Sequence, residues 1–306
     1  MHRNFIVVGP PAALQDVAHA LEPLAEIITI TLNDRTAVKP RGGVLEIQAL
    51  NRSADEVLRR LRRYAEAGDV VIMIGSAGSI VDVQRQRMID EDADTMLWEE
   101  MEQNLRNEGR ISFNSIALMA LGGAIAAAAV AASPLPRILG LLASSIIAPG
   151  FAPIAGISLG FVLKRRRVLF RAALATCAGY AITTAAAALT FLLLHVLGCP
   201  GTERIAPDIV QLLGVDSATI VISVASAVAG AFMIVSLRDI YVIGSLIGLA
   251  LVPAAAAAGC AVVTREWSVL GKALALVGFD AAFVLIGCAA VFWLEQRTVH
   301  RRRPIA

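Results

Sequence analysis

Four cysteines and four histidines are all that 306 residues offer as soft metal ligands, and neither set is spaced to hold an ion. Cys177, Cys199, Cys260 and Cys288 show no CxxC pattern, and three of them lie inside apolar runs, where a thiol serves as a small core residue. His2, His19, His195 and His300 are scattered without an HExxH or related spacing. Neither a metal centre nor a disulfide framework is expected, and no cofactor is implied. The glycine-rich stretch 75–79 has neither a following lysine nor the spacing of a P-loop and reads as a linker. The acidic run containing Asp90, Glu91, Asp92 and Asp94 lacks the EF-hand pattern. In the second part of the chain acids are scarcer still, and Asp280, in GFDAAF, stands alone deep inside an apolar run. With no second deep acid and no nucleophile elbow, catalytic machinery is missing, so the expectation is a protein that is not an enzyme. No nucleic-acid partner is expected.

Apolar residues, by contrast, abound: 57% of the chain is hydrophobic and the mean hydropathy is +0.69, values foreign to soluble globular domains. Nearly all of this apolarity follows Ile111, and the partner it implies is a lipid bilayer. The opening MHRNFIVVGPP is too short and too soon charged for a signal peptide, and it enters a patterned domain. There, residues 4–8 read as a strand. Leu14, Val17, Leu21 and Leu24 recur at helical spacing, 28–32 alternate as a strand, and 44–50 follow a Pro40, Gly42, Gly43 turn as another. Ser53 and Glu56 make a capping-box pattern ahead of a second helix, and 69–74 closes the set as a final strand. The order strand, helix, strand, strand, helix, strand predicts a small α+β ferredoxin-like domain over 1–79, placed in the cytosol. Arg59, Arg60, Arg62 and Arg63 read as its solvated helix face. An acidic connecting helix or linker follows over 80–110.

Six apolar spans are predicted, at 111–132, 139–163, 168–197, 218–237, 240–263 and 269–294, giving a six-span α-helical membrane domain over 111–297 and a basic tail over 298–306. Lys164, Arg165, Arg166, Arg167, Arg238, Arg297, Arg301, Arg302 and Arg303 gather on one side. The positive-inside rule therefore puts both termini in the cytoplasm. Span two, LGLLASSIIAPGFAPIAGISLGFVL, is broken near its centre by Pro149, Gly150 and Pro153, which free backbone groups that lipid cannot satisfy. Span five carries Pro253 ahead of a small-residue stretch ending at Gly259. The two halves of three spans resemble each other, with VLFRAAL after the first break and VLGKALAL after the second, which predicts a 3+3 inverted repeat with a path between the breaks 148–156 and 251–259. Amino ends of half-helices suit an anion and exposed carbonyls suit a cation, so the sign of the solute stays open. Gly156 with Gly160, and Gly244 with Gly248, form GxxxG faces that permit close packing or a homo-oligomer. Asp280 is the candidate coupling residue, with Tyr180, Thr183, Thr184, Asn114 and Ser115 as candidate neighbours; its alternative is a protonated acid bonded to an adjacent helix.

Three stretches carry a family resemblance: WEEMEQNLRNEGRISFNSIALM running into the first span, IIAPGFAPIAGISLG, and IGLALVPAAAAAGCAV. Over about 94–294 the chain resembles the bacterial multi-pass proteins catalogued as domain of unknown function 389. The resemblance implies a bacterial inner-membrane protein with six spans and a cytosolic amino-terminal domain, and it supplies no activity. The chain departs from the pattern in having a single Pro253 where a double proline is usual, and Asp280 where a polar amide is expected. Together these readings predict a transporter or channel-like protein for a small solute or ion, gated by its soluble domain. The alternative is a membrane-anchored ligand sensor or scaffold.

Overall fold

The computed structural model describes residues 2–68, 70–76, 82, 84–92, 97–108, 110–236 and 249–298. Contacts divide the chain into two compact units, Met1–Glu100 with Gln296–Ala306, and Met101–Glu295.

In the first unit the strands β1 (Arg3–Gly9), β2 (Ile27–Val38), β3 (Arg41–Ala49) and β4 (Val71–Ser76) form one antiparallel sheet in the order β2-β3-β1-β4. Strand alternation sends Phe5 and Val7 of the central β1 to one face. Phe5 lies between Ile47 and Ile74, and Val7 between Leu45 and Ile72. Two helices bury their stripes among these residues: α1 (Pro11–Leu21) through Leu14, Val17 and Leu21, and α2 (Ala54–Glu66) through Val57, Leu58 and Leu61. The predicted capping box does not form. Ser53 turns its hydroxyl back to the Leu50 carbonyl at 2.9 Å, and Glu56 pairs instead with Arg59 and with Arg60 Nε at 2.8 Å. A basic side chain one turn on satisfies the carboxylate better than a reach back to the cap. Arg60 also donates to the Ala20 carbonyl, which ties α2 to the end of α1. The acidic run has a structural task as well. Asp92, just after the short helix α3 (Gln86–Asp90), accepts from the backbone amides of Asn51 at 2.7 Å and Arg52 at 3.2 Å.

The helix α4 (Trp98–Glu108) leads into the second unit. This unit holds α5 (Phe113–Ala131), α6 (Pro134–Ile147), α7 (Phe151–Val162), α8 (Arg166–Val196), α9 (Pro207–Leu212), α10 (Ser217–Val235), α11 (Leu251–Thr264) and most of α12 (Trp267–Thr298). Four of these, α5, α8, α10 and α12, are long and apolar enough to cross a membrane. A fifth crossing is available if α6 and α7, bent by 42° across their break, count as one span. Such helices mark a membrane protein. Of the predicted fifth span, 240–248 lies outside the described residues, with Arg238, Gly244 and Gly248; the described remainder is the short apolar helix α11.

The hub is α8. A Cβ on Gly123 of α5 would lie 2.3 Å from the Thr183 carbonyl oxygen, and one on Gly259 of α11 would lie 2.3 Å from that of Thr184. Two helices thus approach adjacent residues of α8 as closely as glycine allows. The hydroxyls fasten the same contacts, Thr183 donating to the Met119 carbonyl at 3.1 Å and Thr184 to that of Ala255 at 3.2 Å. Between them lies an alanine-rich core that includes Ala126, Ala127, Ala187, Ala254 and Ala257. In the connection after α8, Ile205, Ile209 and Leu213 enter this core at helical spacing around α9.

Candidate functional site

The break in span two is narrower than predicted. Only Ala148, Pro149 and Gly150 stand outside helix, and Pro153 is the third residue of α7. A first-turn amide has no intrahelical partner, so proline starts this helix without breaking it. The same logic relocates Pro253, the third residue of α11, and leaves Gly259 well inside a continuous helix. Both predicted breaks, 148–156 and 251–259, are therefore largely helical, and the informative positions are the residues just ahead of each helix: Gly150 before α7 and Ala250 before α11.

These two helix starts meet. Gly150 is buried, and a Cβ there would lie 2.7 Å from the Tyr180 hydroxyl and 3.4 Å from Val252 Cγ2. Tyr180, on α8, donates to the Gly150 carbonyl at 3.2 Å. Met119, Ala148 and Val252 form a buried cluster at this point, with Tyr180 and Ile182 packed against it. On one side of the cluster a small cleft opens, lined by Ile111 ahead of α5, by Ser115, Ile116 and Met119 of α5, by Pro149 and Gly150 of the break and Pro153 of α7, and by Thr176, Gly179 and Tyr180 of α8. Its polar groups are few, as befits a cleft in an apolar bundle.

Beyond the cluster lies Asp280, on α12 and 1% exposed. Its Oδ2 accepts from the amide of Ala250 at 2.9 Å, and its Oδ1 accepts from the Ser223 hydroxyl of α10 at 2.6 Å. The carboxylate thus sits against the amino end of α11, where the helix dipole favours negative charge, and it links three helices. None of the neighbours expected from the sequence bonds Asp280. Thr183 and Thr184 satisfy backbone carbonyls, Ser115 lines the cleft, Asn114 is exposed, and Tyr180 bonds Gly150. The actual partner, Ser223, is one hydroxyl among several in an apolar helix, and no spacing in the sequence singles it out.

Gly156 packs toward Ala172, and a Cβ on Gly160 would lie 2.6 Å from the Leu169 amide nitrogen, so this GxxxG face is a contact between α7 and α8. Cys260 and Cys288 are buried, Cys199 is partly covered and Cys177 is exposed, all as free thiols. Among the described residues no cluster of three or more histidine, cysteine or carboxylate ligands forms.

Comparison with known proteins agrees with the resemblance. Residues 146–286, which run from the end of α6 to the middle of α12, match the family model described as a domain of unknown function (DUF389). No curated protein and no solved structure matches the chain.

Proposed function

We propose that this chain, which carries a DUF389 domain over residues 146–286, is a transporter or channel-like membrane protein for a small solute or ion, with its path passing the point where α7 and α11 begin. The observation that carries the reading is the meeting of two proline-started helices, at Gly150 and Val252, at the floor of a cleft inside an apolar bundle. Irregular backbone inside a membrane is tolerated where it is packed in protein or lines a watery cavity, and the cleft borders this break on one side.

Element lengths support a 3+3 inverted repeat. The first three-span set has helices of 19, 12 and 31 residues (α5, α7, α8), and the second has 19, 14 and 32 (α10, α11, α12), with proline third in both short helices. A repeat of three crossings places its copies upside down to one another. In the first unit the strand order β2-β3-β1-β4 with two helices supports a ferredoxin-like sandwich, which we assign as the gate. Both termini lie in the cytoplasm and the membrane is the bacterial inner membrane on this reading.

One observation favours the sensor or scaffold reading: 251–261 are buried throughout, as a dry structural contact would have them. Cysteine accessibility from water separates the two. In a chain freed of its native cysteines, positions 148–156 and 251–259 are replaced singly and exposed to a membrane-impermeant thiol reagent. A transport path labels Pro149→Cys and its cleft-facing neighbours, whereas uniform silence supports the scaffold and redirects attention to ligands of the first unit.

A further inference from the structure

Asp280 is enclosed, 1% exposed, and bonded by two groups of unlike chemistry. An amide N–H can only donate, so Oδ2 must remain an acceptor for Ala250. A serine hydroxyl both donates and accepts. When a proton arrives on Oδ1, the Ser223 hydroxyl can turn and accept from the new O–H, with the Ala250 bond undisturbed. Both carboxyl oxygens therefore keep a hydrogen bond in either protonation state. A carboxylate bonded only by amides has no such second state.

The surroundings suit the same ligand. The helix start that would attract an anionic solute is already occupied by Asp280, so a second anion there meets like charge. Facing the carboxylate are Ser223 from α10 and the Ala250 amide from α11. Among the described residues no basic side chain pairs with it. Tyr180 also stands at the floor of the cleft, joined to Gly150. Ala250, bonded to Asp280, stands two residues ahead of Val252, which belongs to the buried cluster against which Tyr180 packs.

We propose that Asp280 and Ser223, at the start of α11, form a proton-exchange site. In each exchange one proton moves from water to Oδ1 and later back to water, and no other bond is made or broken. The inference deepens the transport reading and rests on it, since it names the coupling ion.

Its test uses the full chain in lipid vesicles loaded with a pH-sensitive dye, with proton entry driven by a potassium diffusion potential. Asp280→Asn keeps the bonding pattern, its carbonyl accepting from Ala250 and its amide donating to Ser223, but it takes up no proton. Proton entry above that of empty vesicles is expected for the unaltered chain, falling at least about tenfold in Asp280→Asn. It should fall partially in Ser223→Ala and recover in Ser223→Thr. Equal entry for the unaltered chain and Asp280→Asn overturns the proposal. If Asp280→Asn does not yield a monodisperse protein, unchanged entry in Ser223→Ala overturns it instead. No proton entry in the unaltered chain, with Pro149→Cys still labelled from water, also overturns it and leaves the transport path standing with another cargo.

Discussion

Replacing Gly150 by alanine probes the meeting of the two helix starts directly. Gly150 has φ −76° and ψ −33°, ordinary helical values, so alanine carries no backbone strain there. Fewer unfolded conformations would by themselves stabilise Gly150→Ala by about 0.4–1 kcal/mol. Against this, the new methyl lies 2.7 Å from the Tyr180 hydroxyl, so the phenol must withdraw and surrender its bond to the Gly150 carbonyl. Loss of that bond costs about 1 kcal/mol, and crowding a packed cluster adds about 1–3 kcal/mol. The net expectation is destabilisation of roughly 1–3 kcal/mol. The decisive comparison is a double-mutant cycle with Tyr180→Phe, read as thermal midpoints in one detergent. Without the hydroxyl, the nearest atoms to the methyl are Val252 Cγ2 at 3.4 Å and ring carbon Cζ at 3.6 Å, which is ordinary contact. Alanine should then be neutral or mildly stabilising, so the two changes couple by more than about 1 kcal/mol. An equal cost of Gly150→Ala with and without the hydroxyl would refute the placement of Tyr180 over Gly150.

Other positions give contrasting outcomes. Gly123→Ala and Gly259→Ala should each lower stability by more than about 3 kcal/mol or prevent assembly, because the contact is with backbone of α8 that cannot step aside. Gly271→Ala and Gly278→Ala, in α12 with open space around them, should be neutral or stabilising by up to about 1 kcal/mol in the same melts. Glu56 is held below its ordinary 4.5 by the hydrogen bond from Arg60, against a desolvation penalty. Its stabilising effect is therefore complete above that ordinary value and is lost as pH falls through the lowered one. Glu56→Gln should speed hydrogen exchange in α2 modestly, by under about 1 kcal/mol, at neutral pH, and should make no difference in strong acid. Arg137 donates to the Asp208 carboxylate and, at 2.6 Å, to the Ala132 carbonyl. Burial works to raise the Asp208 acid, and the guanidinium outweighs it, holding that carboxyl below its usual range. Arg137→Lys cannot serve both acceptors with a planar fork, so proteolysis of the α8–α10 connection should quicken.

Much of the first unit is legible in sequence because its signals are local. Phe5 and Val7 alternate, Leu14, Val17 and Leu21 repeat at helical spacing, and the four strands emerge in their predicted order, although β2 runs on past its predicted end to Val38 and Gly42 and Gly43, read as a turn, pair within β3. Another exception is Ser53 with Glu56, where two arginines one turn on compete for the carboxylate, a choice that a capping pattern does not encode. In the second unit, hydropathy marks where apolar helices lie, and Pro149 marks a real interruption. What it cannot reveal is that proline at the third position of a helix is a start signal, so Pro153 and Pro253 read as breaks when they open α7 and α11. Asp280 is conspicuous in sequence for its cost in an apolar span, but its partners lie 57 and 30 residues away, Ser223 and the Ala250 amide. A hydroxyl in a helix can always bond its own backbone, as Ser144 and Ser145 do with Leu141, so nothing local distinguishes Ser223.

Whether water reaches the helix break through the cleft is read from the sidedness of labelling. Ser115→Cys, Thr176→Cys and Pro149→Cys, each in a chain otherwise free of cysteine, line the cleft from its α5 wall to its floor, and Ala256→Cys, fully buried in α11, serves as the control. With the impermeant reagent on one side of oriented vesicles and then the other, the three cleft positions should label from the same side and Ala256→Cys from neither. Labelling at Ser115→Cys with silence at Pro149→Cys from both sides would contradict the account, since the cleft would then end short of the break.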